Sequence, residues 1–262
     1  MNTTARFLTI DVGNTQMVFG LYEGETLCAH WRLSSNHQLT SDELSWQMFG
    51  LFSQFGHDPK NLHGIMIASV VPHLDEILRD ACIQTCDLTP AFVGTAEVKT
   101  GMAIDYKNPR EVGADRIANA VAARALFGAP AIVLDCGTAT TFDVISKEGH
   151  YVGGLIIPGI EVSLQALSKR AAKLPEVAIA PVKTLIGRDT ISSMQAGVYW
   201  SAVDGLNGII KRLQAEPGFA DAPVIATGGL SSRLIADMPK VSAVDPFLTL
   251  KGILMLAQGH FK

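Results

Sequence analysis

One strand–turn–strand pattern occurs twice in this chain. Near its start the sequence reads Phe7-Leu8-Thr9-Ile10-Asp11-Val12-Gly13-Asn14-Thr15, then Val18-Phe19-Gly20-Leu21-Tyr22. Midway it reads Ile132-Val133-Leu134-Asp135-Cys136-Gly137-Thr138, then Thr141-Phe142-Asp143-Val144-Ile145. Each copy is an apolar strand ending in Asp, a tight turn with Gly and Thr, and a second apolar strand. A carboxylate closing a buried-type run is costly unless it is paired or binds a cation. Half a chain of 262 residues separates the copies, which predicts two domains of one plan. Two such hairpins facing each other would line a cleft with carboxylates, hydroxyls and turn amides, suited to a nucleoside triphosphate and its metal.

The elements around each hairpin support the duplication. Strands are expected over about 6–12, 16–22 and 26–33, then a helix over about 41–55. Leu44, Met48, Leu51, Phe52 and Phe55 recur there at helical spacing, and Thr40 with Glu43 makes a capping-box start. A buried strand from Gly64 to Val71, a helix opened by Pro72 and running to about Cys86, and a strand at Ala91-Phe92-Val93 follow. Gly113 opens a helix to about Phe127, with Ile117, Val121, Ala125 and Leu126 as its buried stripe. Then come strands near 131–136, 140–146 and 150–154 and a helix after Pro158-Gly159. A long helix over Thr190–Ala215, a strand over 223–227, a short helix, a strand near 241–244 and a last helix from about 247 complete the chain. Three antiparallel strands followed by alternating helix and strand, twice, predict an α/β fold of two tandem ribonuclease-H-like domains with an interdomain cleft. The boundary expected is 1–118 for the first and 119–262 for the second, blurred if the last helix packs back on the first.

Composition removes several function classes. The net charge is −4, with no run of Lys or Arg, which argues against nucleic acid as a partner. The sequence contains no stretch of eighteen apolar residues, the length that spans a membrane as a helix, so no membrane span is expected. Met1 to Arg6 is short and polar, unlike a secretory leader, so a cytoplasmic location is expected. Cys28, Cys82, Cys86 and Cys136 form no CxxC pair and are expected reduced and mostly buried, Cys82 and Cys86 on one helix face. The histidines form no HExxH. Trp31, Trp46 and Trp200 are expected in core or interface.

Four segments carry chemistry. In the first hairpin, Gly13 permits positive φ, the turn amides with Asn14 and Thr15 can cradle phosphate oxygens, and Asp11 suits Mg²⁺, directly or through water. The plainer alternative is a hairpin whose Asp and Asn satisfy their own turn, an alternative that duplication weakens. In the second, Asp135 and the hydroxyls of Thr138, Thr140 and Thr141 offer oxygens to a cation or donors to phosphate, although threonine is also an ordinary strand residue. Asp143 shares a strand face with Thr141 and could equally be solvated. In the third, Gly113-Ala114-Asp115-Arg116, the carboxylate of Asp115 sits in a helical first turn. It is either a favourable helix-start acid or a general base on a substrate hydroxyl. Arg116 could pair with a substrate carboxylate or phosphate, or with a surface acid. The fourth, Ala226-Thr227-Gly228-Gly229-Leu230-Ser231, is a strand-to-helix turn that lets a ribose or flat ring approach the backbone. Gly153-Gly154 and Pro158-Gly159 read as turns, and Thr190 as the N-cap of the long helix.

The order DVGNT, YKNPREVGADR (Tyr106–Arg116), DCGTATT, GGLIIPG, GRDTISSMQAG (Gly187–Gly197), ATGGLS and DPFLTLKG (Asp245–Gly252) resembles the bacterial type III pantothenate kinases, from about residue 7 to 254. DxGNT alone is shared across the acetate kinase, sugar kinase, Hsp70 and actin superfamily; GADR with GRDT and DCGT is far more specific. The resemblance implies ATP-dependent phosphorylation of the pantothenate 4′-hydroxyl, the first step of coenzyme A synthesis. Asp11, Val12, Gly13, Asn14, Thr15, Gln16, Met17 and Val18 then form the first phosphate loop, Thr138 contacts ATP, and Asp115 is the proton acceptor. Tyr106, Gly113, Ala114, Asp115 and Arg116 contact pantothenate, and Asp135 holds a monovalent cation, K⁺ or NH₄⁺, besides the Mg²⁺ that accompanies ATP. Thr190 reaches substrate from a neighbouring subunit, because the family forms homodimers with composite sites. The apolar, Gly-rich 197–210 segment is the candidate interface. Rival readings are another kinase or phosphohydrolase of the superfamily, acting for example on a sugar, and a non-catalytic accessory factor in gene expression.

Overall fold

The structure, a computed structural model, describes residues 4–36, 38–180, 182 and 184–262. Residues 1–3 of the polar N-terminal stretch lie outside it. Two compact units emerge: the chain up to Ala122 together with Leu248–Lys262, and Ala123–Phe247. This differs from the division at 118/119 in one large respect, since the last helix belongs with the first unit.

The first unit is built on β1 (Arg6–Val12), β2 (Gln16–Glu23), β3 (Thr26–Ser34), β4 (Gly64–Ser69) and β5 (Ala91–Phe92). Their order across the sheet is β3-β2-β1-β4-β5. β1 to β3 form an antiparallel meander, and β4 and β5 add in parallel. Helices α1 (Ser41–Gln54) and α2 (Pro72–Cys86) supply the crossovers. Asp11 pairs with Val18 across the hairpin and with Ala68 on the parallel side. β1 is buried almost throughout, as a strand covered on both faces must be. Leu8, Ile10 and Val12 join one core with Leu44, Met48 and Phe52 of α1 and Leu74 and Leu78 of α2. Trp31 stacks on Phe19 in that core, ring centroids 5.6 Å apart. Phe7 and Thr9 face the other way by the strand's period of two. There the last helix, α7 (Leu248–His260), packs against β1 and β4, and Phe261 just beyond it stacks on Phe7. Helix α3 (Ala114–Phe127) carries the chain from the first unit into the second.

The second unit repeats the plan with β6 (Ala131–Cys136), β7 (Ala139–Ile145), β8 (Tyr151–Pro158), β9 (Val224–Thr227) and β10 (Val241–Val244), in the order β10-β9-β6-β7-β8. β6 to β8 are antiparallel; β9 and β10 are parallel additions. Helices α4 (Ile160–Arg170), α5 (Thr190–Ala215) and the short α6 (Ser231–Leu234) complete it. Tyr199, Val203, Leu206 and Ile210 of α5 bury against Ile132, Leu134 and Phe142. Counted from β1 and from β6, the two sheets have one strand order and one set of directions.

Several local expectations change. β8 runs on to Pro158 because Gly153 takes φ +122 within the strand and does not end it. Asp143 is not solvated; it is fully buried and accepts a hydrogen bond from Tyr151 Oη at 3.0 Å. The stripe on α3 holds at Ile117 and Val121 but fails at Ala125 and Leu126, which are exposed, while Ala118 and Ala122 are buried. Trp31 is core, but Trp46 is 78% exposed. Cys82, Cys86 and Cys136 are buried and Cys28 exposed, all four as free thiols.

Candidate functional site

Within the first unit the strand-end acid, the turn and the GADR segment share one end of the sheet. The amide of Gly13 donates to the Gln16 carbonyl at 3.0 Å, closing the turn after Asp11. Ser35, just past β3, fastens it from the side: its hydroxyl donates to the Gly13 carbonyl at 2.6 Å and its amide to the Thr15 carbonyl at 3.0 Å. Asn14, Thr15 and Gln16 are left exposed at the tip. Gly13 does not adopt positive φ, contrary to the sequence expectation. A Cβ there would sit 3.4 Å from the Gln16 carbonyl, so the turn tolerates one. What glycine provides is a bare approach to the turn amides. Val12 and Met17 are wholly buried, so only their main chain can meet a ligand, and Val18 is partly buried.

The amide of Val70, just past β4, donates to the Val12 carbonyl at 3.0 Å. On the far side of Val70 lies the start of α3. A Cβ on Gly113 would sit 3.5 Å from Val70 Cγ1 and only 2.5 Å from Asp115 Oδ1. Glycine at 113 therefore leaves the space that the Asp115 carboxylate occupies. That carboxylate accepts from the Arg116 amide at 2.8 Å. Burial pushes the Asp115 carboxyl up from its ordinary value, opposed by that hydrogen bond and by the charge of Arg116. Ala114 and Arg116 are buried beside it. Tyr106 lies in the irregular stretch before α3, 37% exposed.

In the second unit the equivalent turn is closed by the Gly137 amide donating to the Ala139 carbonyl at 3.1 Å. Asp135 pairs with Thr141 on one side and Thr227 on the other. Gly228 follows at φ +86, where a Cβ would strike Asp135 Oδ1 and come within 2.6 Å of the Cys136 carbonyl. Both backbone conformation and space require glycine here. The Cys136 carbonyl also accepts from the Leu230 amide at 3.2 Å, and the Thr138 carbonyl from Gly159 at 3.1 Å. A Cβ on Gly159 would collide with the Thr138 carbonyl. The glycines of ATGGLS and IIPG thus wrap the 135–138 turn. Their spacing identified them as turn glycines; which turn they close on depends on strand pairing that the local sequence does not encode. Burial first, then the Asp135 charge, push the Cys136 thiol up to about 12, leaving it inert as a nucleophile.

Thr190 is the first residue of α5 and not its cap. Asp189 takes that role: its carboxylate accepts from the Ser192 amide at 2.9 Å, and the Ser192 hydroxyl donates back to it at 2.8 Å. Thr190 borders a pocket of about 600 Å³ walled by Leu167, Leu174, Arg188 and Met194.

Which of these residues fit the bound groups that such a site needs? Asp11 at a strand end offers Mg²⁺ one carboxylate, the number a phosphate-chelated magnesium commonly takes from protein. Among the described residues no three His, Cys, Asp or Glu side chains gather as a metal site. Asp135 Oδ1 and the Cys136 carbonyl lie against the bare α-carbon of Gly228, and the Asp135 carboxylate is the charged oxygen donor that this turn could offer a cation.

A twice-repeated meander with two parallel additions, each with an acid and a tight turn at the end of its first strand, defines a two-domain α/β fold of the actin-like type. Among solved structures, MreB 5 of Spiroplasma citri, bound to AMPPNP, is similar over 98% of this chain and 97% of its own, with TM-score 0.54 and 12% identity. The ethanolamine utilization protein EutJ of Carboxydothermus hydrogenoformans is similar over 95% and 89%, with TM-score 0.53 and 15% identity. Sequence narrows the class. The type III pantothenate kinase family model matches residues 7–212. The type III pantothenate kinase of Halalkalibacterium halodurans is 45% identical over 249 residues, 95% of this chain and 97% of the relative. That of Moorella thermoacetica is 47% identical over 246 residues, 94% and 96%. The chain belongs to the type III pantothenate kinase family.

Proposed function

We propose that this chain transfers the γ-phosphoryl group of ATP to the 4′-hydroxyl of pantothenate, the first step of coenzyme A biosynthesis. The observation that carries the reading is the meeting of two motifs at one sheet end. Val70 bonds to the carbonyl of Val12, next to Asp11, and packs beside Gly113 and the Asp115 carboxylate. A phosphate loop and a proton acceptor are thereby held on one rigid frame.

In the first unit the turn Gly13–Gln16 receives phosphate oxygens of ATP, and Asp11 would hold Mg²⁺; in the second unit Thr138 is an ATP contact. Magnesium supplies charge neutralisation on the phosphate oxygens. Arg116 and Tyr106 hold pantothenate, Arg116 through the carboxylate, and Asp115 accepts the proton of the attacking hydroxyl. Its raised pKa suits this work: a base nearer neutrality takes a proton more readily than an ordinary carboxylate. The transition state is loose, so the proton leaves late, and most of the rate comes from positioning and electrostatics. Asp135 with neighbouring carbonyls holds K⁺ or NH₄⁺, which offsets charge beside the phosphates. The chain works as a homodimer in which Thr190 completes the partner's substrate site. Support for the interface comes from α5: an added Cβ at Gly197, Gly205 or Gly208 would meet nothing, and Ile191 on the same helix is exposed. No helix among the described residues is long and apolar enough to cross a membrane, and the site takes small molecules, with no nucleic acid.

Product formation from ATP, Mg²⁺ and pantothenate in matched KCl and NaCl buffers tests this. Turnover in KCl that collapses in NaCl is expected. Equal turnover in both removes the cation from Asp135 and keeps the kinase. No phosphopantothenate from folded protein in either buffer overturns the reaction.

A further inference from the structure

One buried polar contact in the first unit has no part in the chemistry above. Asn119 is fully buried on α3, and Thr249 of α7 donates its hydroxyl to Asn119 Oδ1 at 2.8 Å. The partners are 130 residues apart in sequence. Its Asn119 end is fully buried, where a polar group is expensive to leave short of a partner. One turn further along α7, Gly252 presses on α3 so closely that a Cβ would run into the Ala118 carbonyl. Helix α7 thus touches α3 at two adjacent points, one polar and one through bare backbone.

Both ends of this contact are anchored to functional elements. Asn119 follows Asp115 by four residues, one turn along the same helix face and about 6 Å along the axis. At the other end, α7 is fixed to the sheet. Leu250 lies where a Cβ on Gly20 would touch it at 3.0 Å, and Phe261 stacks on Phe7 of β1, the strand that carries Asp11. The path from Asp11 to Asp115 therefore runs through β1, α7 and α3 as well as through Val70.

We propose that Thr249 and Gly252 are positioning residues for phosphoryl transfer, setting through Asn119 and Ala118 the height of α3 and with it the Asp115 carboxylate relative to the phosphate loop. The inference rests on Asp115 as the proton acceptor. A purely structural contact would add stability and leave the rate of the folded enzyme alone. A positioning contact acts on the chemical step, where a shift of about 1 Å costs up to about a hundredfold.

The test is steady-state kinetics of Thr249→Val and Thr249→Ser in the full chain, assayed well below their melting temperatures, with Asp115→Asn alongside. Thr249→Val should lower kcat about tenfold with KM for ATP nearly unchanged, and Thr249→Ser should restore most of the loss. Should Thr249→Val fold poorly, Thr249→Ala is read for the same split. A folded valine or alanine variant with kcat within about twofold of the parent overturns the proposal, whatever its melting temperature. So does a fall in kcat matched by an equal change in KM for ATP, the mark of general loosening. Asp115→Asn separates the two claims. If that variant turns over normally, the assignment of Asp115 has failed and the positioning role goes with it; if it is inactive while Thr249→Val is normal, the positioning role alone has failed.

Discussion

Asp115 carries a cost that its removal should reveal. Burial raises its pKa, so the ionised carboxylate is less comfortable in the folded chain than in the unfolded one. The sign follows from linkage. The folded pKa lies above the unfolded value, so the protonated group's full contribution to stability is present below the unfolded pKa and is lost as pH rises through the folded pKa. Asp115→Asn should therefore melt higher than the parent at neutral pH, with the gap closing in acid, while turnover is abolished. Calorimetry at several pH values beside a turnover assay checks both halves. With Asp115 as the proposed proton acceptor, the acid limb of kcat in the parent should fall above the pH of an ordinary carboxylate, since only the ionised form can take a proton. At the second hairpin, Gly228→Ala places a methyl against the Asp135 carboxylate in a left-handed backbone and should remove the K⁺ dependence together with most activity. A variant that keeps K⁺-dependent turnover would detach Gly228 from the cation. At this scale the motifs were legible and their mechanics only partly so. Asp11, Asp115 and Asp135 announce themselves as acids in apolar or helix-start settings. That Gly13 needs no special φ while Gly228 does depends on what each lies against, and Gly228 lies against a residue on another strand.

Among the elements, helix ends show what a sequence encodes locally. Thr40 and Glu43 form the reciprocal capping box that their spacing predicts, Thr40 Oγ1 accepting from the Glu43 amide at 3.2 Å. Thr40→Ala should lower stability by about 1 kcal/mol, read from chemical denaturation, with turnover intact. The start of α5 was legible to within a residue, but its cap was not. Asp189 and Thr190 are both capping types, and only the bonds to Ser192 decide between them. Asp189→Ala should fray the turn bearing Thr190 and raise KM for pantothenate more than KM for ATP, measured by separate titrations of the two substrates. A matching rise for both would remove Thr190 from the pantothenate side. The stripe of α3 misled for a related reason. Its buried residues include Ala118, Ala120, Ala122 and Ala123, and hydrophobicity patterns undervalue buried alanine.

The whole molecule is a duplication whose first half is finished by the last helix. Strand order, strand direction and the acid-turn motif recur from β1–β5 to β6–β10; the directions and the motif were legible, since apolar runs, turn residues and helix starts fall in the same sequence twice. The return of α7 was foreseen only as an option, because contact between Thr249 and Asn119 belongs to long-range packing and leaves no local mark. This discontinuity has a consequence for how the protein is made. Residues 123–247 form a contiguous unit that can fold as soon as it leaves the ribosome. The earlier-synthesised unit must wait, with the β1–β4 face still uncovered, until Leu248–His260 has been translated. The N-terminal unit is thus begun first and completed last.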